Sequence, residues 1–103
     1  MSEYVIRYSS QARRDLQESY DWGVDNWGRE RAVDWVYRLE GLIAKRLSKL
    51  PLAYPLAPET RDFGSDIRHL VVHRYRILFT VSENEIYILR IRGPFSGQGL
   101  DIG

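Results

Sequence analysis

Hydrophobic positions along this chain change their spacing twice. Over residues 4–8, YVIRY, they alternate, with Tyr4, Ile6 and Tyr8 on one side and Val5 and Arg7 on the other, which predicts a short strand rich in β-formers. Ser9 and Ser10 then offer N-cap hydroxyls. Ala12, Leu16, Tyr20 and Gly23 or Val24 follow at helical spacing, while Arg13, Arg14, Asp15, Glu18 and Asp21 fill the outside of a first amphipathic helix. The stretch GVDNWG, bracketed by Gly23 and Gly28, predicts a corner. The helical stripe restarts with Ala32, Val36, Leu39, Ile43, Leu47 and Leu50, so a second helix should run from about Arg29 to Lys49 and stop before Pro51.

PLAYPLAPETRDFGSD has three prolines and no period, and reads as a connection over the surface. The spacing after it falls to two. Ile67 to His73, Tyr75 to Val81 and Ile86 to Arg92 read as strands, the last two joined by Ser82-Glu83-Asn84-Glu85, where Asn84 can accept a positive φ. A two-residue loop there would place Ile77, Phe79, Val81, Ile86 and Ile88 on one sheet face. Arg76, Leu78, Thr80, Tyr87, Leu89 and Ile91 would occupy the other. The fold class is therefore α+β: an N-terminal strand, an α-helical hairpin and a three-stranded antiparallel meander, with the helices on one face of the sheet. All 103 residues read as a single domain, in which residues 93–103, GPFSGQGLDIG, are expected to form a flexible tail.

Two helices can cover only one face of so small a sheet. The second set of strand residues is thus the expected exposed surface, and an apolar groove beside an arginine-rich rim suits a partner peptide. Composition supports a core without staples: 44% of residues are hydrophobic, and three Trp, three Phe and seven Tyr supply bulk. The lack of cysteine excludes disulfides, thiol catalysis and thiolate metal sites, and fits a cytoplasmic location. No apolar run approaches the roughly 20 residues that span a bilayer, so no membrane partner is expected.

The net charge of +1 predicts no bulk attraction to nucleic acid, but its distribution is uneven. Between Ile67 and Arg92 stand Arg68, Arg74, Arg76, Arg90 and Arg92 against Glu83 and Glu85. Arg68, Arg76, Arg90 and Arg92 fall on adjacent strands and can either solubilise the sheet or receive phosphates or carboxylates. The two histidines, His69 and His73, are four apart. On a strand that spacing spans about 13 Å, too far for one metal ion, and neither a metal nor a cofactor is expected. Asp15, Glu18, Asp21 and Asp25 lie near one helical face and read as a solvated face. Trp22, Trp27 and Trp35 gather with Tyr20 at the helical corner, as core packing or, for Trp22 and Trp27, as a partner contact.

The words ARRDLQESYDW, LSKLPLAYPLAPE, DIRHLVVHRYRILFTV and EIYILRIRG, in this order and over almost the whole chain, resemble the RelE/ParE superfamily of toxins from bacterial type II toxin–antitoxin systems. The resemblance implies the fold already described and a cognate antitoxin that wraps a segment over the toxin, with higher-order complexes between the two. It also implies one of two activities. RelE-like members cut mRNA on the ribosome with basic residues and often a C-terminal tyrosine. Arg76 in YRIL matches a functional arginine of that group, whereas Ile67 and His69 stand where its basic pair is expected, and no Arg, Lys or Tyr follows Gly93. ParE-like members inhibit DNA gyrase by binding, and their DIR and YRI words match Arg68 and Arg76, although RIRGPFSGQ replaces their strand-ending histidine and basic residues. The expectation is a ParE-like, non-catalytic toxin whose target-binding residues are Arg68, Arg76, Arg90 and Arg92 and whose antitoxin-binding residues are Leu78, Tyr87, Leu89 and Ile91. The alternatives are a RelE-like endonuclease using Arg76, with the ribosome and mRNA as partners, and a non-toxic antitoxin-binding relic.

Overall fold

The computed structural model describes residues 4–93; the expected flexible tail beyond Gly93 lies outside them. The elements are β1 (Val5–Tyr8), α1 (Ser10–Trp27), α2 (Arg29–Leu47), a 3-10 turn at Pro51–Ala53, the single-turn α3 (Thr60–Phe63), β2 (Arg68–Val72), β3 (Tyr75–Ser82) and β4 (Glu85–Arg92). The strands form one sheet in the order β1-β4-β3-β2, with β1 parallel to β4 and the other pairings antiparallel. This is the expected strand, helical hairpin and meander. Its first strand returns to pair with its last.

The corner is tighter than GVDNWG suggested. α1 continues through Gly23 to Trp27, and Gly28 alone turns the chain with a φ of 95°, a conformation that favours glycine. Gly23 instead lets the helices approach, since a Cβ there would stand 3.2 Å from the Ala32 Cβ and from the Trp27 ring. Trp22, Trp27 and Trp35 make successive edge-on contacts, with centroids 5.3 and 5.8 Å apart, and Trp35 leans on Tyr75 of the sheet at 5.4 Å. The indoles are half-buried parts of one aromatic ladder joining corner to sheet.

Ala12, Leu16, Leu39, Ile43 and Leu47 from the helices pack on Leu70, Val72, Tyr75, Ile77, Phe79, Ile86, Ile88 and Ile91. Ile91 is the exception to the expected faces. Phe79 pairs with Ile88, but Leu78 pairs with Arg90 and Ile77 with Ile91, so β4 carries an extra residue at Leu89. Such a bulge reverses the alternation beyond it, and Ile91 turns into the core at 1% exposure when strict period two would have placed it outside. The turns also differ in detail. His73 and Arg74 both take positive φ in the two-residue β2–β3 loop, which shortens β2 at Val72, and in the β3–β4 loop Glu83, not Asn84, takes the positive φ.

The connection does more than run over the surface. Ala57 donates to the Ile67 carbonyl at 2.7 Å and His69 to the Pro55 carbonyl at 3.1 Å, so residues 55–57 lie along the outer edge of β2. The Thr60 hydroxyl closes the loop by accepting from Ile67 N–H and donating to Ile67 C=O, both at 2.9 Å. A second cluster forms there, with Ala57 and Ile67 covering Leu78 and Leu89 packing beside them. Leu78 is therefore buried at 4% exposure, a correction to its expected place on an open surface.

Gly93 closes the described chain against the fully buried Tyr75, and a Cβ there would overlap the phenol ring. Gly93→Ala is expected to destabilise by about 1–3 kcal/mol through overpacking of a ring that has no room to move. Gly41→Ala, at an open position inside α2, should stabilise by roughly 0.5–1 kcal/mol. Thermal denaturation of the two variants checks both signs.

Candidate functional site

β1 pairs with β4 only as far as Tyr8 and Ile88, which leaves the last residues of β4 with a free edge. The chain covers that edge with the start of α1. Ser9 N–H donates to the Ile88 carbonyl at 2.9 Å, and its hydroxyl donates to the Leu89 carbonyl at 2.8 Å while accepting from Ala12 N–H at 3.0 Å. One serine thus caps the helix and fastens it to the bulge. One turn further on, the Asp15 carboxylate accepts from Ile91 N–H at 2.8 Å and from the Arg90 guanidinium at 2.9 and 3.2 Å. Asp15 is 5% exposed, so it does not belong to a solvated acidic face. Its hydrogen bonds hold Arg90 still more firmly protonated than usual.

A second arginine is paired across the sheet. Arg76 of β3 donates to both Glu59 oxygens, at 2.8 and 2.9 Å, and its Nε donates to His69 Nδ1 at 3.2 Å. The Arg76 hydrogen bonds hold the Glu59 carboxyl down at about 2. Because that value lies below the ordinary 4.5, the pair's contribution to stability is complete at neutral pH and is lost only as pH falls from about 4.5 towards about 2. Arg92 is the cross-strand partner of Arg76, is exposed, and adds its charge near Glu59.

These residues surround a cavity of about 380 Å³ on the sheet face away from the helical hairpin. Ile67, Leu78 and Leu89 form its apolar part, with Glu59, Arg90, Arg92, Ser9 and Gln11 around them. The expected four-arginine cluster is only partly assembled. Arg90 and Arg92 line the cavity and Arg76 adjoins it, but Arg68 pairs with Phe79 and so lies at the opposite pleat, where its guanidinium donates to the Tyr54 carbonyl at 2.7 Å. Of the expected apolar strip, Leu89 lines the cavity and Tyr87 is 42% exposed on the same strand, whereas Leu78 is a floor residue and Ile91 belongs to the other face. His69 meets Arg76, while His73 sits in the β2–β3 turn. Among the described residues no group of three or more His, Asp or Glu side chains forms a metal site, and no helix is long and apolar enough to cross a membrane.

Asp15 and Glu59 are the two acidic site residues the strand pattern did not single out. Asp15 was nonetheless signalled, since Ala12, Asp15, Leu16 and Ser19 follow one helical stripe. Glu59 lies in an aperiodic connection, where no local pattern marks it.

The sequence profile of the ParE toxin of the type II toxin–antitoxin system parDE matches residues 6–93 of this chain. The chain belongs to the ParE toxin family. The matched span takes in both strands that carry Arg76 and Arg90 and ends where the described structure ends. Among solved structures, this ParE-family toxin is similar to a chain of the chromosomal ParDE system from P. aeruginosa, at 25% identity and a TM-score of 0.70, covering 88% of this chain and 96% of that one. A chain of the RelBE2 toxin–antitoxin complex from Mycobacterium tuberculosis shares the fold at 23% identity and a TM-score of 0.62, covering 90% and 93%. No curated protein gives a significant sequence match.

Proposed function

We propose that this ParE-family toxin arrests growth by binding DNA gyrase in the cytoplasm, and that a cognate antitoxin neutralises it by laying a segment over the cavity on the outer sheet face. The observation that carries the reading is the state of Arg76. Its guanidinium is engaged by two bonds to Glu59, so a scissile phosphate would have to displace that carboxylate before Arg76 could stabilise a pentavalent transition state, a cost that counts against catalysis. The similar structures come from a ParDE system and a RelBE2 toxin–antitoxin complex, which supports an antitoxin as partner.

One contact favours the RelE-like alternative. His69 Nδ1 accepts from Arg76 Nε at 3.2 Å, and if that bond opens the freed lone pair beside the arginine can serve as a general base. The experiment is therefore comparative. Expression without antitoxin should halt growth, and the purified protein should reduce gyrase supercoiling while leaving mRNA on programmed ribosomes intact. Cleavage in the ribosomal A site that disappears in Arg76→Ala would overturn the choice in favour of the nuclease. Normal growth at high expression would leave an antitoxin-binding relic.

A further inference from the structure

Arg76 and Arg92 face each other directly across β3 and β4, an arrangement that is unfavourable for two like charges unless an anion lies between or beside them. The anion in this structure is Glu59, which comes from the connection and not from the sheet. Its bond to Arg76 is end-on and two-pronged, the geometry with which an arginine receives any carboxylate. Both side chains remain open to solvent, at 31% for Arg76 and 39% for Glu59, so an incoming group can reach them. Arg92 makes no ion pair among the described residues. The site therefore holds one carboxylate where two guanidiniums converge. Beside Glu59 opens the 380 Å³ cavity with Ile67, Leu78 and Leu89 in its wall, room for an aliphatic side chain next to the acid.

We propose that Glu59 is an internal stand-in for a carboxylate of the docking segment, and that an acidic, leucine-bearing peptide of the antitoxin displaces it from Arg76 while its leucine enters the cavity. The identity of the occupant rests on the antitoxin reading above. The exchange follows from the geometry: Glu59 competes at high effective concentration for the guanidinium its replacement must take, and so lowers the affinity of every such ligand. Exchange also explains why a connection already fixed by Thr60 and Ile67 places an acid over the sheet at its neighbouring position.

The test uses the full chain and a synthetic twelve-residue peptide of repeated Glu-Leu-Ser. By calorimetric titration at low salt, Glu59→Gln is expected to bind this peptide about tenfold more tightly than the parent. Adding Arg76→Ala should abolish the gain, and a Gln-Leu-Ser peptide should show none. Glu59→Asp keeps the charge but shortens the reach, so it should fall between parent and Glu59→Gln, and it serves if the glutamine variant folds poorly. Equal affinities for parent and both variants, or a gain that survives Arg76→Ala, would overturn the exchange. So would an equal gain for inorganic phosphate, which would make the site a general oxyanion sink. A chain that passes this test yet forms no complex with the product of its neighbouring reading frame would defeat the antitoxin reading alone.

Discussion

Asp15→Ala is expected to be the most damaging single polar substitution in the described part of the molecule, costing about 4–6 kcal/mol. Two losses contribute. The Arg90 guanidinium keeps its place over the sheet without its counter-ion, and removal of one partner from a fully buried pair costs about 3–5 kcal/mol. Arg90 is still 23% exposed, which lets water recover part of that energy and sets the estimate at the lower end. The Ile91 N–H also loses its Asp15 acceptor at the point where β1 has ended, a penalty of about 1–3 kcal/mol for a buried donor that remains dry. Together these should lower the midpoint of thermal unfolding by more than about 10 °C in a domain of this size. Asp15→Asn retains an acceptor for Ile91 and should fall between the two. Arg90→Ala leaves the Asp15–Ile91 bond in place and should cost less than Asp15→Ala. If Asp15→Ala unfolds within about 1 kcal/mol of the parent, the carboxylate is not what holds the end of β4 to α1.

The same corner of the molecule separates what the sequence made legible from what it did not. Periodicity is a local signal, and it located every strand and both long helices because each buries one stripe or one face. It also identified Ile77, Phe79, Ile86 and Ile88 as core, since β3 and β4 keep strict alternation up to the bulge. At Leu89 alternation fails, and period two carried past that point assigns Ile91 to the wrong side. The bulge has a cause in tertiary structure. The start of α1 must reach the edge of β4 through Ser9 and Asp15, and the extra residue turns the strand's carbonyl at Leu89 and N–H at Ile91 towards them. Nothing within EIYILRIR announces that need.

The arginines show the converse. Their spacing along the strands suggested one cationic surface, but formal charge takes no account of partners that arrive from distant parts of the chain. Glu59 is 17 residues from Arg76 and Asp15 is 75 from Arg90, and each converts an apparent anion-binding group into half of an ion pair. Of the four arginines expected to form that surface, Arg92 alone is exposed. The connection departs from its expected course for a related reason: proline and the lack of period mark a chain that is neither helix nor strand, and say nothing of whether it folds back. Ala57 and Ile67 do fold back, and what reaches the surface is a cavity bounded by Leu89 and not an open strip from Leu78 to Ile91.

That narrowing decides which substitution can report on antitoxin binding. Leu78→Glu would place a charge beneath Ala57 and Ile67, and loss of binding would then be indistinguishable from a loosened connection. Leu89 is only partly buried at the cavity wall, so Leu89→Glu leaves the two core clusters filled and is expected to fold, with a modest fall in melting temperature. Its effect on the complex should be large. The new carboxylate removes the apolar contact that a docking side chain would make, repels an acidic segment, and lies where Arg90 and Arg92 can pair with it and be lost to the partner. Affinity for the antitoxin should fall by well over about tenfold, most of it in faster dissociation. Leu89→Ala removes the contact without adding charge and should cost less, while Tyr87→Ala, on the same strand but outside the cavity lining, should cost least. A complex that tolerates Leu89→Glu with unchanged affinity would place the antitoxin elsewhere, and the exposed groove between α1 and α2, bordered by Tyr20, Val33, Val36 and Tyr37, would be the next surface to alter.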